Sequence, residues 1–291
     1  MNSSPIPLIA ALLGYVLVAT ALVLSPGLLY VPSLVLLTLA LGIVLAASGM
    51  RDYKPFSPRG RRLFVHALGW VAVVNFAAFC FFVLGYAYAV GSLQAPLIAG
   101  VLVLGGLLAS YAWHPAVRSW PRMGAVLSSF AFLGAWQIRM SPAPTIDVWQ
   151  FQQQASRLLL QGKNPYAAEY SAMQDARFYG PSMVKEGRVQ TFPYPPLSLL
   201  MALPGYLLGD VRWSLLAALL GTAAVIAAIG RKAGAEAATL AELAAVLFLC
   251  QPLNLLLLER AWTEPFLTLS ETSNSPPGPI AMKRGCSNPS A

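Results

Sequence analysis

Charged side chains are scarce in this chain. Asp, Glu, Lys and Arg make up only 10% of its 291 residues, while 57% of the residues are hydrophobic and the mean hydropathy is +0.63. A soluble domain typically carries about 25% charged residues. The shortage excludes an ordinary soluble domain and predicts an all-α polytopic membrane protein with about seven or eight transmembrane helices.

Cysteine and histidine are scarce as well. Cys80 and Cys250 lie inside apolar runs and Cys286 lies near the C-terminus, a spacing that matches neither a disulfide framework nor a zinc site. His66 and His114 each flank a loop predicted to be cytoplasmic, and we interpret them as interfacial side chains rather than metal ligands. The sequence therefore predicts no metal ligand and no bound cofactor, and it leaves dependence on a divalent metal open.

Acidic residues are fewer than basic ones, 11 against 19. The basic excess lies mostly in short loops between apolar runs, where it reports membrane orientation. Basic residues interleaved with aromatic ones on a soluble face would indicate nucleic-acid binding, and the sequence has no such patch. We therefore expect no nucleic-acid partner.

The sequence does contain apolar runs long enough for a membrane span, which needs about 20 residues. They cover residues 7–24, 28–49, 63–90, 96–113, 123–138, 213–230 and 237–258. These runs divide the chain into four parts: a five-span N-terminal bundle (1–138), a polar loop (139–196), C-terminal transmembrane segments (197–269) and a tail (270–291).

Two basic loops, 51–62 and 114–122, are separated by two predicted spans and therefore lie on the same side of the membrane. The positive-inside rule makes both of them cytoplasmic. The N-terminus is then cytoplasmic as well, and residues 139–196 form one large extracytoplasmic loop. The chain is predicted to be integral to the cell membrane and to cross it several times.

Segment 197–209 is short for a span and contains Pro204-Gly205. If it crosses the membrane, Arg231 and Lys232 fall outside. If it is re-entrant or lies along the interface, they fall inside, as the charge rule prefers. We favour the second interpretation.

The tail from about Ser270 has no apolar periodicity and is predicted to be disordered. It follows a short new apolar run, Pro265–Leu269, which it interrupts. Two interpretations are a truncated or frame-shifted chain whose later spans are missing, which we favour, and a genuine disordered tail.

An amphipathic helix is predicted within the polar loop. Thr145 or Asp147 is expected to cap its start, and Gly162 followed by Pro165 is expected to end it. Its apolar residues recur at helical spacing: Val148, Phe151, Ala155, Leu158 and Leu159. We expect this helix to lie along the outer membrane surface.

Asp147 is the isolated acid of the loop, near the end of a predicted span. Such a position holds its carboxyl group at the level of the lipid headgroups, where desolvation can tune the pKa toward use as a general base. The alternative is an aspartate that only caps a helix.

Two turn-rich aromatic motifs, Asn164-Pro165-Tyr166 and Phe192-Pro193-Tyr194-Pro195-Pro196, follow in the same loop. Prolines fix the backbone and predict a rigid platform for a sugar or a lipid headgroup. The alternative is a simple anchor at the membrane interface. The candidate binding residues of this loop are Gln150, Asn164, Tyr166 and Tyr194.

Basic residues near these motifs are candidates for holding a phosphate, because the planar guanidinium of arginine binds two oxygens at once. The alternative is that they are solvated charges. The candidates are Arg177, Lys185 and Arg188, with Arg139 and Arg260 as further options.

This order of a span, Asp147, an amphipathic helix, Gly162-x-Asn164-Pro165-Tyr166 and Tyr194-Pro195-Pro196-Leu197 resembles the GT-C superfamily of glycosyltransferases that use polyprenyl-phosphate sugars. Within that superfamily the chain is most similar to glycosyltransferase family 87, which is mannosyltransferase-like. The resemblance covers residues 139–265 and implies that Asp147 is the general base and Glu264 a second acid. Two features depart from the family: several spans precede the acidic loop, and the later spans are lacking.

The resemblance implies a membrane glycosyltransferase that moves a mannose-like sugar to an envelope glycan or lipid acceptor on the extracytoplasmic side. Its partners are membrane lipid, the polyprenyl-phosphate-linked sugar and the acceptor. The alternative is a non-enzymatic polytopic protein, such as a transporter or an accessory subunit of envelope assembly.

Overall fold

The computed structural model describes residues 6–24, 30–48, 58–86, 95–113, 120–173, 179, 182–232, 235–251 and 253–274. Several sequence predictions concern residues outside these ranges: most of the two basic loops, Arg177 and residues 275–291.

Helices dominate the described residues, which confirms the prediction of a helical fold. The five N-terminal helices are α1 (Ile6–Leu24), α2 (Val31–Ser48), α3 (Pro58–Tyr86), α4 (Ala95–Trp113) and α5 (Trp120–Met140). The remaining helices are α6 (Asp147–Leu160), α7 (Pro196–Leu207), α8 (Arg212–Lys232), α9 (Ala235–Leu249), α10 (Asn254–Glu259) and α11 (Glu264–Asn274). The apolar runs of the sequence therefore correspond to helices.

The predicted run 237–258 is wrong as a single helix, because the structure divides it into α9 and α10. Pro252 stands at the division, and proline lacks the N–H that a continuing helix needs. The side-chain amide of Asn254 donates to the carbonyls of Phe248 and Leu249, at 2.6 and 3.2 Å. These bonds satisfy two carbonyls that the end of α9 leaves open.

A small antiparallel sheet interrupts the predicted all-α pattern. Its strands are β1 (Tyr170–Ser171), β2 (Val184–Lys185) and β3 (Arg188–Val189), in the order β1-β3-β2. Glu186 and Gly187, which join β2 to β3, both have positive φ angles, 49° and 73°. Two such residues form the tight hairpin turn whose twist suits paired strands.

The main hydrophobic core lies among α3, α4, α5, α8 and α9. In the part of the chain that the structure describes, one helix, α8, is long and apolar enough to cross a membrane, and six other apolar helical stretches of 10–17 residues are shorter. Two basic residues, Arg231 and Lys232, end α8, where cations complement the helix dipole.

The amphipathic helix α6 is present as predicted, but its apolar side does not face a membrane. Phe151 and Ala155 have no exposed surface and pack in a second, smaller core with Tyr170, Phe192 and Leu199. The expected contact of this side with the membrane is therefore wrong, because the protein's own aromatic loop covers it.

The end of α6 follows the prediction closely. Gly162 has a φ of 72°, and the backbone N–H groups of Gly162 and Lys163 donate to the carbonyls of Leu159 and Leu158. These two bonds form a Schellman motif, which favours glycine at the left-handed position. Local sequence therefore sets the end of this helix.

Two C-terminal predictions have different outcomes. Helix α7 has 12 residues and is about 18 Å long, short of the roughly 30 Å hydrocarbon core, in keeping with the prediction that it does not cross. Helix α11 continues to Asn274, so the disorder predicted from Ser270 is wrong for its first residues.

Candidate functional site around Asp147

Asp147 is the first residue of α6 and only 5% of its surface is exposed. Its Oδ1 accepts a hydrogen bond from the backbone N–H of Val148 at 2.8 Å, and its Oδ2 accepts one from the Tyr179 hydroxyl at 2.6 Å. A negative charge here is favourable, because the N-terminus of a helix carries partial positive charge. The N-cap residue is Ile146, so the prediction that Thr145 or Asp147 is the N-cap is wrong.

Both predicted acids, Asp147 and Glu264, affect the pKa of the Tyr194 hydroxyl. Burial raises the pKa of its hydroxyl above the ordinary value, and the charges of Asp147 and Glu264 raise it further. A nearby negative charge disfavours the phenolate in this way. The charges of Asp147 and Glu264 thus both act on Tyr194, although the two acids lie far apart in the sequence.

Glu264 differs from Asp147 in its surroundings. It is the first residue of α11 and is exposed to solvent. The preceding turn forms a second Schellman motif, with Ala261 at a φ of 56° and the Trp262 N–H donating to the Leu257 carbonyl at 3.0 Å. This turn sets the direction in which α11 leaves α10.

The aromatic-proline motifs fold together beside α6. Tyr166, Phe192 and Tyr194 form a row of edge-on contacts, with ring centroids 5.6 Å apart for the first pair and 5.4 Å for the second. The Tyr166 hydroxyl donates to the Tyr194 carbonyl at 2.8 Å, and the Thr191 hydroxyl donates to the Tyr166 carbonyl at 2.9 Å. Such paired contacts make this side of the site rigid.

Asn164 and Tyr166 lie toward the other end of α6. Both line an open cavity of about 410 Å³ between the C-terminal end of α6 and the first turns of α7. The side-chain oxygen of Asn164 accepts from the Tyr166 N–H at 2.9 Å and caps the short 3-10 helix Pro165–Ala167. Their role as sugar ligands stays a prediction.

Gln150 lies one turn after Asp147 on α6 and is partly buried. Its side-chain oxygen is buried and has no hydrogen-bond partner among the described residues. A buried acceptor without a partner is costly. Of the predicted binding residues, Gln150 is nearest in sequence to the carboxylate.

Three of the predicted phosphate-binding cations in the described part of the chain differ in their surroundings. Lys185 and Arg188 face each other across β2 and β3, both exposed, and Arg188 pairs with Glu169 at 3.3 Å. Arg260 lies over the ring of Trp262, 5.8 Å from its centroid, and its Nε is buried without a hydrogen-bond partner in the described part of the chain. Arg260 is therefore the cation in the segment that leads to Glu264.

Two important residues, Asp210 and Arg212, were missed by the sequence analysis. The guanidinium of Arg212 has no exposed surface and pairs with Asp210 at 2.6 Å. It also donates to the carbonyls of Ser141 at 2.6 Å and Ile138 at 3.3 Å, at the end of α5. An acid just before a long apolar run is a helix-start signal, and it would have pointed to Asp210.

The turn between α7 and α8, which contains Asp210, also contacts the start of α6. The Trp149 indole N–H donates to Asp210 Oδ1 at 3.2 Å, and Gln153 accepts from the Val211 N–H at 3.1 Å and donates to the Gly209 carbonyl at 3.3 Å. The turn between α7 and α8 therefore fastens both flanks of the segment 141–146 that leads to Asp147.

Tyr179, the hydroxyl partner of Asp147, was also missed. It follows Phe178 and precedes Gly180, and no sequence signal links it to α6. Among the described residues, no group of three or more His, Cys, Asp or Glu side chains could hold a metal ion.

In comparisons with known proteins, no family model matches this chain, and neither a curated protein nor a solved structure is significantly similar to it.

Proposed function

We propose that this chain is a multi-pass membrane glycosyltransferase that transfers a sugar from a polyprenyl-phosphate donor, with Asp147 as the general base. The observation that carries the proposal is the buried carboxylate of Asp147, oriented by Tyr179 and within electrostatic range of Tyr194 together with Glu264. A buried carboxylate that is oriented by a hydrogen bond and lies near other titratable groups is typical of functional sites.

The membrane part of the proposal is supported by exposed apolar surface. Helix α2 contains no charged residue, and Val31, Leu41 and Leu45 on it are 70%, 59% and 59% exposed. Contiguous apolar surface of this kind on a protein marks a contact with lipid or with a partner. Together with α8, it favours embedding in a bilayer. The charge pattern of the sequence is what leads us to propose that the Asp147 site lies on the extracytoplasmic side.

In the proposed reaction, an acceptor hydroxyl gives its proton to a carboxylate oxygen of Asp147 as its oxygen attacks the anomeric carbon of the donor. The bond from that carbon to the phosphate oxygen breaks on the opposite face, so the configuration inverts and polyprenyl phosphate leaves. Arg260 is the proposed cation for the departing phosphate, where electrostatic stabilisation contributes most. Gln150 is the proposed acceptor for a sugar hydroxyl.

One observation favours the alternative, a non-enzymatic membrane protein. Both oxygens of Asp147 already accept hydrogen bonds, and little of its surface is exposed. In that case Asp147 stabilises only the start of α6 and its contact with Tyr179.

Asp147→Asn separates the two functions, because it keeps the shape of the side chain and removes the base. We expect sugar transfer in membranes, from a polyprenyl-phosphate sugar at matched expression, to fall about 10²–10⁴-fold. The matched control is Glu169→Gln, an exposed acid outside the site, which should transfer at the normal rate. Normal turnover by Asp147→Asn, or no transfer by the unaltered protein in the presence of donor, would refute the proposal.

A further inference from the structure

The two sides of α7 differ in what covers them. Ser198, Leu199, Ala202 and Gly205 are buried, on the side toward α6 and α8. The opposite side is apolar yet exposed: Leu197, Leu200 and Leu207 are 53%, 57% and 67% exposed, and Leu208 just beyond the helix is 72% exposed. These positions recur at helical spacing, so they form one continuous apolar stripe.

The cavity described above lies at the N-terminal end of this stripe. Pro196, Leu199 and Leu200 of α7 form one wall, and Leu159 with the turn from Gly162 to Tyr166 forms the other. Leu200 therefore belongs both to the cavity and to the exposed stripe. An apolar chain bound in the cavity can therefore extend along the exposed stripe and stay in contact with apolar side chains.

Lys163 is the only charged residue among the nine that line the cavity. The Schellman motif fixes its backbone, since its N–H donates to the Leu158 carbonyl at 2.9 Å. The neighbouring Asn164 uses its side-chain oxygen to accept from Tyr166, so the amide nitrogen is the remaining donor of that side chain. An ammonium group and an amide donor suit an anionic phosphate oxygen.

We propose that an anionic phospholipid of the bilayer binds here, with its headgroup phosphate at Lys163 and Asn164 and an acyl chain along Leu200 and the exposed stripe of α7. A free phosphate would use the cation but leave the stripe exposed, whereas a phospholipid covers both. The helix α7 would then lie in the membrane interface, the place that the sequence predicted for α6.

This lipid site differs from the proposed catalytic site. Helix α6 has 14 residues and is about 20 Å long, and Asp147 begins it while the cavity lies at its other end. A phosphate held at Lys163 is therefore too far from the carboxylate to be the leaving group. The inference rests on the membrane location proposed above, but it does not depend on sugar transfer.

The test measures lipid binding directly. The purified full chain in detergent is titrated with dioleoyl phosphatidylglycerol or dioleoyl phosphatidylcholine, and bound lipid is counted by native mass spectrometry. We expect the anionic lipid to bind more tightly, and Lys163→Gln to reduce that affinity about fivefold, the effect of one basic residue at an anionic surface. Lys163→Arg should restore it.

Two further variants separate headgroup from chain. Lys232→Gln removes an exposed lysine at the end of α8 and should leave binding unchanged, whereas Leu200→Gln should weaken the binding of both lipids. Unchanged binding by Lys163→Gln, equal affinity for the two lipids, or equally tight binding of glycerol phosphate would overturn the inference. A dimer that Leu200→Gln dissociates would also overturn it, because a second copy would then cover the stripe.

Discussion

Replacing Arg212 by methionine should strongly destabilise the fold where α8 contacts α5 and α6. The guanidinium is fully buried, pairs with Asp210 at 2.6 Å, and donates to the carbonyls of Ser141 and Ile138. Its removal leaves the Asp210 carboxylate buried without its counter-ion. Breaking a buried pair in this way costs about 3–5 kcal/mol.

Two further variants separate the contributions of the hydrogen bond and of the charge pair to this loss of stability. Trp149→Phe keeps an aromatic ring but deletes one long hydrogen bond to the Asp210 carboxylate, at 3.2 Å. A hydrogen bond to a charged group contributes about 1.5–3 kcal/mol, so we expect a loss near the lower value. The double variant Asp210→Leu/Arg212→Met removes both charges of this pair and should lose less than the sum of its two single variants.

The assay is thermal and denaturant-induced unfolding of the purified full chain in a non-ionic detergent, followed by circular dichroism. Lys232→Met is the matched control, since it removes an exposed cation from the other end of the same helix. It should cost no more than about 1 kcal/mol. An Arg212→Met protein as stable as this control would refute the reasoning, as would a double variant that loses the full sum.

Two other predictions follow from local geometry and burial. Gly162→Ala should lower the free energy of unfolding by about 1 kcal/mol, because φ is 72° there and no atom lies within 4 Å of the added Cβ; Gly106→Ala, in a helix and equally open, should instead be neutral or stabilising. If Gly162→Ala and Gly106→Ala changed the free energy of unfolding equally, this prediction would be wrong. Burial raises the pKa of Tyr170 to about 12, while in the unfolded chain a tyrosine titrates near 10. Above pH about 10 the unfolded chain loses this proton first, so stability should fall from there up to the folded pKa. Tyr170→Phe should make this decline shallower, and unfolding at pH 8 and pH 11 measures the difference.

The extent of each helix was largely predictable from the sequence, because helix formation and helix ends depend on neighbours within one or two turns. The apolar runs became α1 to α5 and α8. Gly162 ended α6 as expected, since the left-handed position of a Schellman motif favours glycine. The amphipathic period of α6 was also visible in the sequence. Asp147 could be named as a candidate acid from its isolated position after a span, whereas Glu264 could be named only through a resemblance.

Tertiary structure decided what each surface meets. A periodic apolar side is equally suited to lipid and to protein, so only packing showed that Phe151 and Ala155 of α6 contact the aromatic loop while the exposed side of α7 remains apolar. The bond from Tyr179 to Asp147 joins positions 32 residues apart, and the bond from Trp149 to Asp210 joins positions 61 apart. Side chains this far apart along the chain carry no shared period, so their contacts depend on how the helices pack. The sequence therefore determined where helices form, and only the fold determined which polar groups they bring together.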